Sequence, residues 1–380
     1  MDLLRLGVLA TSSKENERRL PIHPHHIDRI DEDVRAHMLL EAGYGEAFGV
    51  SDEHLAPLVG GIGRRAEVID AADVVLLPKP TLADLHAMHD GQVLWGWPHA
   101  VQDRDLTQTS IDKHLTLIAW EAMNHWTDSG SFMVHVFHLN NEMAGYCSVL
   151  HAMTLMGTTG SYGRHLSAVV IGFGNTARGA ITALHAMGVL DVTVLTARDV
   201  TAVASPIPSV VIDHMDRVPG QAGRTVVQTE EGAIPTSHFL AARDIVVNCV
   251  LQDTDSPLMF VTEADLEHFP TGRLLVDVSC DRGMGFEFAE PTSFDEPMLT
   301  VGDGVSYYGV DHSPTYLWNS ATWGISEALL QYLRPVMSGP SGWDADLTIS
   351  RAIEIREGVV MNPKILSFQR RSAEHPHTRR

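Results

Sequence analysis

Short apolar runs recur along the chain, and each is cut off by glycine, proline or a polar cluster. In the first part of the sequence these runs predict strands over residues 4–10, Met38 to Glu41, Asp73 to Leu77, Gln92 to Trp95 and Leu115 to Ala119. Ser12 to Arg19 is polar and reads as a loop, and Pro21 to Ile30 as the start of a helix. Strands alternating with helical stretches imply an α/β unit with a mostly parallel sheet. A proline-free stretch from Met143 to Met156 predicts a bridging helix that stops at Gly157. The alternation then resumes, with strands at Ala168 to Ile171, Val192 to Leu195, Ser209 to Ile212, Asp244 to Val250, Arg273 to Val278 and Met298 to Val301. A last helix is predicted from Trp318 to Leu333, and the polar segment Ser372 to Arg380 is expected to fray. The implied fold class is α/β, with two Rossmann-like, doubly wound, mostly parallel sheets. One domain is expected over residues 1–140 and 305–380, the other over 141–304.

One junction in this pattern carries chemistry. The strand at Ala168 to Ile171 enters a loop with Gly172 and Gly174, followed by Asn175, Thr176 and Ala177. A helix then buries Ala177, Ala180, Ile181, Leu184 and Met187 and stops at Gly188. Strand, glycine loop and helix N-terminus form a cradle for a pyrophosphate, with Ala177 where the third glycine of the dinucleotide fingerprint stands. The end of the next strand chooses the nucleotide. NAD sites place a carboxylate there for the ribose 2′-hydroxyl, whereas this chain has Thr196, Ala197 and Arg198, with Asp199 one step later. Arg198 would meet a 2′-phosphate bidentately and Thr196 would hydrogen-bond it, so the expected cofactor is NADP, as NADPH.

Composition narrows the function classes. The 380 residues suffice for two cores, and a net charge of −21 disfavours nucleic acid and acidic membrane surfaces. Cys147, Cys249 and Cys280 have no CxxC spacing and read as reduced, buried thiols. No apolar run is long enough to span a membrane and no leader is expected, which together suggest a cytoplasmic protein.

Four polar clusters fall at predicted strand ends, the edge where open α/β sheets bind ligands. Arg18 and Arg19 in Lys-Glu-Asn-Glu-Arg-Arg are candidates to clamp a substrate carboxylate. Lys79 stands between two prolines, and His99 closes Gly-Trp-Pro-His, where an imidazole can exchange a proton with a carbonyl or amine. Asp281 ends Asp-Val-Ser-Cys-Asp, beside the expected nicotinamide half. His23-Pro-His25-His26 and His375-Pro-His377 lack the spacing of a zinc site and read as surface histidines, so no metal is expected. Hydrolase and kinase patterns are absent.

Taken together, Glu17-Arg-Arg-Leu-Pro, the proline-flanked lysine, Gly96-Trp-Pro-His, the glycine loop and Asp277-Val-Ser-Cys-Asp resemble the alanine dehydrogenase, transhydrogenase and saccharopine dehydrogenase superfamily. Ala144-Gly-Tyr-Cys-Ser-Val-Leu and Thr292-Ser-Phe-Asp-Glu-Pro look most like the N5-(carboxyethyl)ornithine synthases, and Val310-Asp-His-Ser-Pro-Thr-Tyr-Leu is similar to the lysine-forming saccharopine dehydrogenases. The resemblance implies two domains around a cleft and often a homo-oligomer. By position, Arg19 would bind a carboxylate, His99 and Lys79 would be the acid–base pair, and Asp281 would lie by the nicotinamide and substrate nitrogen. In the family the lysine often stands earlier relative to the proline, and an arginine is common where this chain has Asn319. The reaction implied is an opine-type reductive condensation of a 2-oxo acid, pyruvate or 2-oxoglutarate, with the amine of an amino acid such as ornithine or lysine. Two alternatives stay open: an alanine dehydrogenase-like or saccharopine dehydrogenase activity, and an NADPH-binding protein without catalysis.

Overall fold

Successive residues of the predicted strands are buried on alternate faces of the sheets, and that alternation builds four apolar cores. In the computed structural model, which describes residues 3–10, 12–197, 207–221, 223–253 and 255–379, Val74 and Leu76 pack into one core with Leu6, Val8, Trp95 and Ile118. Val75 and Leu77 pack into another with Leu9, Leu94 and Leu117. A strand whose odd and even residues are both apolar must be covered on both faces. The chain divides into two units, Met1–His138 with Trp318–Arg380, and Leu139–Leu317.

The first unit is an eight-stranded sheet. Six parallel strands lie in the order Gly61–Gly63, Met38–Glu41, Leu6–Val8, Val74–Leu76, Val93–Gly96 and Thr116–Ala119. Ile353–Arg356 then runs antiparallel to Thr116–Ala119, and Val359–Val360 closes the edge. Strand order therefore reverses beside Leu6–Val8, and the ends of Leu6–Val8 and Val74–Leu76 flank the switch point where such sheets receive ligands.

The second unit repeats the order in a nine-stranded sheet. Val210–Arg217, Asp191–Thr196, Ser167–Ile171, Ile245–Asn248, Leu274–Asp277 and Val305–Tyr308 are parallel neighbours. Antiparallel Thr225–Thr229 and Gly232–Pro235 extend one edge, and Met298–Val301 the other. Ala168, Val170, Val192, Val194, Ile245 and Val247 fill one face; Val169, Ile171, Leu195, Val246 and Leu275 fill the other.

Several expectations from the sequence need correction. Val305–Tyr308 pairs with Leu274–Asp277, so residues 305–317 belong to the second unit and the chain re-enters the first at Trp318. Pro21 to Ile30 holds only 3-10 turns, Pro24–Arg29, because two prolines lack donors and the His23 ring takes the His25 N–H at 3.2 Å. The last helix ends at Leu329 and continues as the short turns Leu330–Tyr332 and Leu333–Met337, around Pro335.

The expected fraying tail is ordered instead. Arg371 and His377 are buried, the His377 ring accepts the Val360 N–H at 3.0 Å, and Arg371 pairs with Arg379 as a β-bridge. Of the histidines of 23–26, only His25 is on the surface as expected. His23 and His26 are buried, edge-on to Trp323 at 5.1 and 4.2 Å. Burial, with the neighbouring His26 and His25, pushes His23 down to about 4. Among the described residues no group of three or more His, Cys, Asp or Glu could hold a metal ion, and no helix is long and apolar enough to cross a membrane.

Candidate active site

Three adjacent parallel strands of the first unit end in ionisable side chains. Lys79 follows Val74–Leu76, His99 follows Val93–Gly96, and Glu121 follows Thr116–Ala119. Gly96 lets the first two ends close up, since a Cβ there would lie 2.0 Å from the Leu77 carbonyl oxygen. The result is a direct contact, with Lys79 Nζ 2.6 Å from His99 Nε2. An ammonium can only donate, so in this pairing Nε2 is the accepting nitrogen and the ring proton sits on Nδ1. Nδ1 lies 3.8 Å from Glu121 Oε1.

His99 also holds a left-handed backbone conformation, φ 49°, rare for a residue with a side chain. Its N–H donates to Glu121 Oε1 at 2.7 Å, and its carbonyl accepts from Gln102 and Asp103. Those bonds hold the turn against its strain. The Ser12 hydroxyl donates to the Lys79 carbonyl at 2.6 Å, fixing the neighbouring turn. Burial, with the like charge of Glu354 second, pushes the Glu121 carboxyl up to about 8.

The two arginines part company. Arg19 is buried and forked onto Glu17, with Nε donating to Oε1 at 2.8 Å, and its guanidinium lies 5.3 Å from the Trp97 ring centroid. Arg18 is exposed, 4.7 Å above the Trp318 ring. Asn319 is exposed beside it and hydrogen-bonds His23.

In the second unit the glycine loop has the form the sequence implies. Gly172 adopts φ 100°, closed to other residues, and Gly174 caps the helix Asn175–Ala186 with nothing within 4 Å of a would-be Cβ. The N–H groups of Asn175, Thr176 and Ala177 thus begin a twelve-residue helix at an open cradle. Ala177 is fully buried, and Thr196 is 3% exposed at the tip of Asp191–Thr196. Arg198 and Asp199 lie outside the described residues.

Asp281 is part-buried after Leu274–Asp277, and burial pushes its carboxyl up. The residue that sets its place is Asp277, which is fully buried. Asn248 Nδ2, the Cys280 N–H and the Tyr307 hydroxyl all donate to it, at 2.9, 3.1 and 3.1 Å. Burial pushes Asp277 up to about 7.

Residues 7–137 match the family described as alanine dehydrogenase/PNT, N-terminal domain, and residues 148–363 match its C-terminal domain. The chain belongs to the alanine dehydrogenase/PNT family. It is an oxidoreductase of a family that binds a nicotinamide cofactor, and the open glycine cradle of the second unit fits such a group. Alanine dehydrogenase of Mycobacterium tuberculosis is 24% identical over 95% of this chain and 96% of its own. N(5)-(carboxyethyl)ornithine synthase of Clostridium botulinum is 21% identical over 87% and 94%. Among solved structures, an L-alanine dehydrogenase superposes with a TM-score of 0.73 at 19% identity, covering 96% of this chain and 99% of its own. A transhydrogenase from Sinorhizobium meliloti gives 0.67 at 18%, covering 94% and 99%.

Sequence reasoning missed Glu121 and Asp277. The signal for Glu121 was present: like Lys79 and His99, it is the first ionisable residue after a strand of the parallel sheet. Asp277 stood inside a motif already singled out for Asp281.

Proposed function

We propose that this member of the alanine dehydrogenase/PNT family uses NADPH for the reductive condensation of a small 2-oxo acid with the amine of an amino acid. The observation that carries the reading is the 2.6 Å contact between Lys79 Nζ and His99 Nε2 at adjacent strand ends. Such a pair holds one donor and one mobile proton, which an imine-forming reaction needs. The substrate amine attacks the keto carbon, and a proton from His99 or Lys79 lets the carbinolamine oxygen leave as water. NADPH, when bound, supplies a hydride to the imine carbon, and the product is a secondary amine. The Arg18–Trp318 pair offers a cationic and aromatic shelf for a substrate carboxylate and its carbon chain, and Arg19 holds Glu17 in place. Glu121 keeps the His99 turn in its strained form.

NADPH rather than NADH is favoured by the absence of a carboxylate at Thr196 and Ala197 and by Arg198 next in sequence. A second reading, with ammonia as the amine, is favoured by the broader match to the M. tuberculosis alanine dehydrogenase. The experiment is cofactor oxidation with pyruvate and 2-oxoglutarate, each crossed with ornithine, lysine and ammonia, using NADPH and NADH. Turnover requiring an amino-acid amine supports the first reading. Turnover with ammonia alone replaces it by the second. Cofactor binding with no turnover on any pair contradicts both. Arg198→Ala is expected to weaken NADPH by about tenfold or more while leaving NADH little changed.

A further inference from the structure

The ordered tail of the chain lies against the turn that carries His99. The helix Pro363–Gln369 ends there, and its last residues meet the segment 100–108, which opens the helix Arg104–Asp112. Gln369 is 3% exposed, and its Nε2 donates to the Ala100 carbonyl at 2.7 Å. Longer bonds run from the same nitrogen to the Val101 carbonyl at 3.2 Å, the Asp103 carbonyl at 3.4 Å and the Thr107 hydroxyl at 3.2 Å. Its Oε1 accepts from Arg371 Nε at 2.7 Å, and Arg371 in turn donates to Gln108 Oε1 at 2.8 Å and to the Arg104 carbonyl at 3.3 Å.

Ala100 directly follows His99 and is fully buried. A side-chain-bearing residue stays at a φ of 49° when its surroundings over-determine the turn. On one side Glu121 Oε1 takes the His99 N–H at 2.7 Å. On the other, the Ala100 carbonyl is held twice, by the Thr107 hydroxyl at 2.6 Å and by Gln369. We propose that Gln369 is a positioning residue for His99: its bond to the Ala100 carbonyl holds the left-handed turn that keeps the imidazole Nε2 2.6 Å from Lys79 Nζ. The inference rests on the reading of His99 as a proton carrier.

A primary amide suits the task. It offers two donors without bringing a charge beside the proton carriers, and its oxygen remains free to anchor Arg371. Removing it leaves the Ala100 carbonyl with the Thr107 hydroxyl alone of these two donors, so the fold is kept while the peptide after His99 gains freedom. Proton transfer over a short contact is sensitive to such small displacements, even when the cofactor and substrate still bind.

The test is a double-mutant cycle on the full chain, with kcat, the KM for the oxo acid and NADPH affinity measured for each variant. Gln369→Met, which keeps the side-chain length and loses the donors, is expected to lower kcat about tenfold with KM and NADPH affinity within about twofold of wild type. In a His99→Gln background the same change is expected to cost nothing further, because the group it positions is gone. Arg379→Ala is the control: it loosens the same tail at the Arg104 carbonyl, leaves the Ala100 bonds intact and should not change kcat. If Gln369→Met does not fold, Thr107→Val removes the other donor to the same carbonyl and must show the same loss confined to kcat. An unchanged kcat in Gln369→Met, or an equal further loss in the His99→Gln background, overturns the proposal while leaving the acid–base reading in place. Near-normal turnover in His99→Gln alone overturns that reading and the proposal with it.

Discussion

The two units share one strand order, yet their C-terminal sheet edges are built on opposite principles. The first presents side chains: Lys79, His99 and Glu121 sit at three consecutive strand ends, and the first two touch. The second presents backbone. Gly172 and Gly174 clear space around the N–H groups of a helix start, while the fully buried carboxylate of Asp277 turns inward to hold its own turn. Fixed amide dipoles suit an anion that keeps its charge. Titratable side chains suit a substrate that gains and loses protons. The shared topology places both edges, and the loop residues beyond each strand decide their use.

Mutations can break each edge separately. The largest effect is expected at Asp277, because Asp277→Ala strands three donors, each at about 1–3 kcal/mol. Thermal denaturation should show loss of folded protein or a Tm lower by many degrees; an unchanged Tm would mean that Asp277 does not anchor the turn. Asp277→Asn sharpens the point through pH. The folded carboxyl is raised to about 7, so its contribution to stability is full below the ordinary carboxylate range and declines as pH rises from about 4 to 7. The asparagine variant should lack that decline.

Gly96→Ala attacks the side-chain edge, since the new Cβ must displace the Leu77 carbonyl. A cost of about 1–3 kcal/mol is expected, with kcat falling while NADPH affinity holds. Equal loss of both would merge the two edges into one functional element. Gly172→Ala is the reciprocal change. Its φ of 100° is hostile to a side chain, and the roughly 1–2 kcal/mol of strain should weaken NADPH by about tenfold in a binding titration.

The smallest effect is at His23, held neutral by burial with its value lowered to about 4. A base whose folded value is depressed loses stability as pH falls from about 6.5 towards 4, because the unfolded chain takes up the proton first. Replacing His23 with Phe should flatten the Tm profile in that window and leave it unchanged above pH 7.

Legibility in the sequence depends on which forces are local. Runs such as Val74–Leu76 and Ser167–Ile171 declare themselves because strands buried on both faces need unbroken apolar residues. The glycine loop is equally visible, since its geometry is written in adjacent residues. The tail was misread because Arg371 and His377 are polar and find their partners far away in sequence. The hairpin Thr225–Thr229 with Gly232–Pro235 went unseen because it adds to an edge and is only partly buried. Lys79 and His99 were found one at a time; their contact depends on Gly96 and Leu77, a pairing across strands that no local pattern shows.

Lys79 and His99, in the proposed reaction, carry the protons of a reductive amination while the glycine cradle binds the cofactor independently. Steady-state turnover of Lys79→Met and His99→Gln, measured beside NADPH affinity, tests that division of labour most directly. Each substitution is expected to lower kcat by about 10²–10⁴-fold, with NADPH affinity within about twofold of wild type. Near-normal turnover in either variant would contradict it.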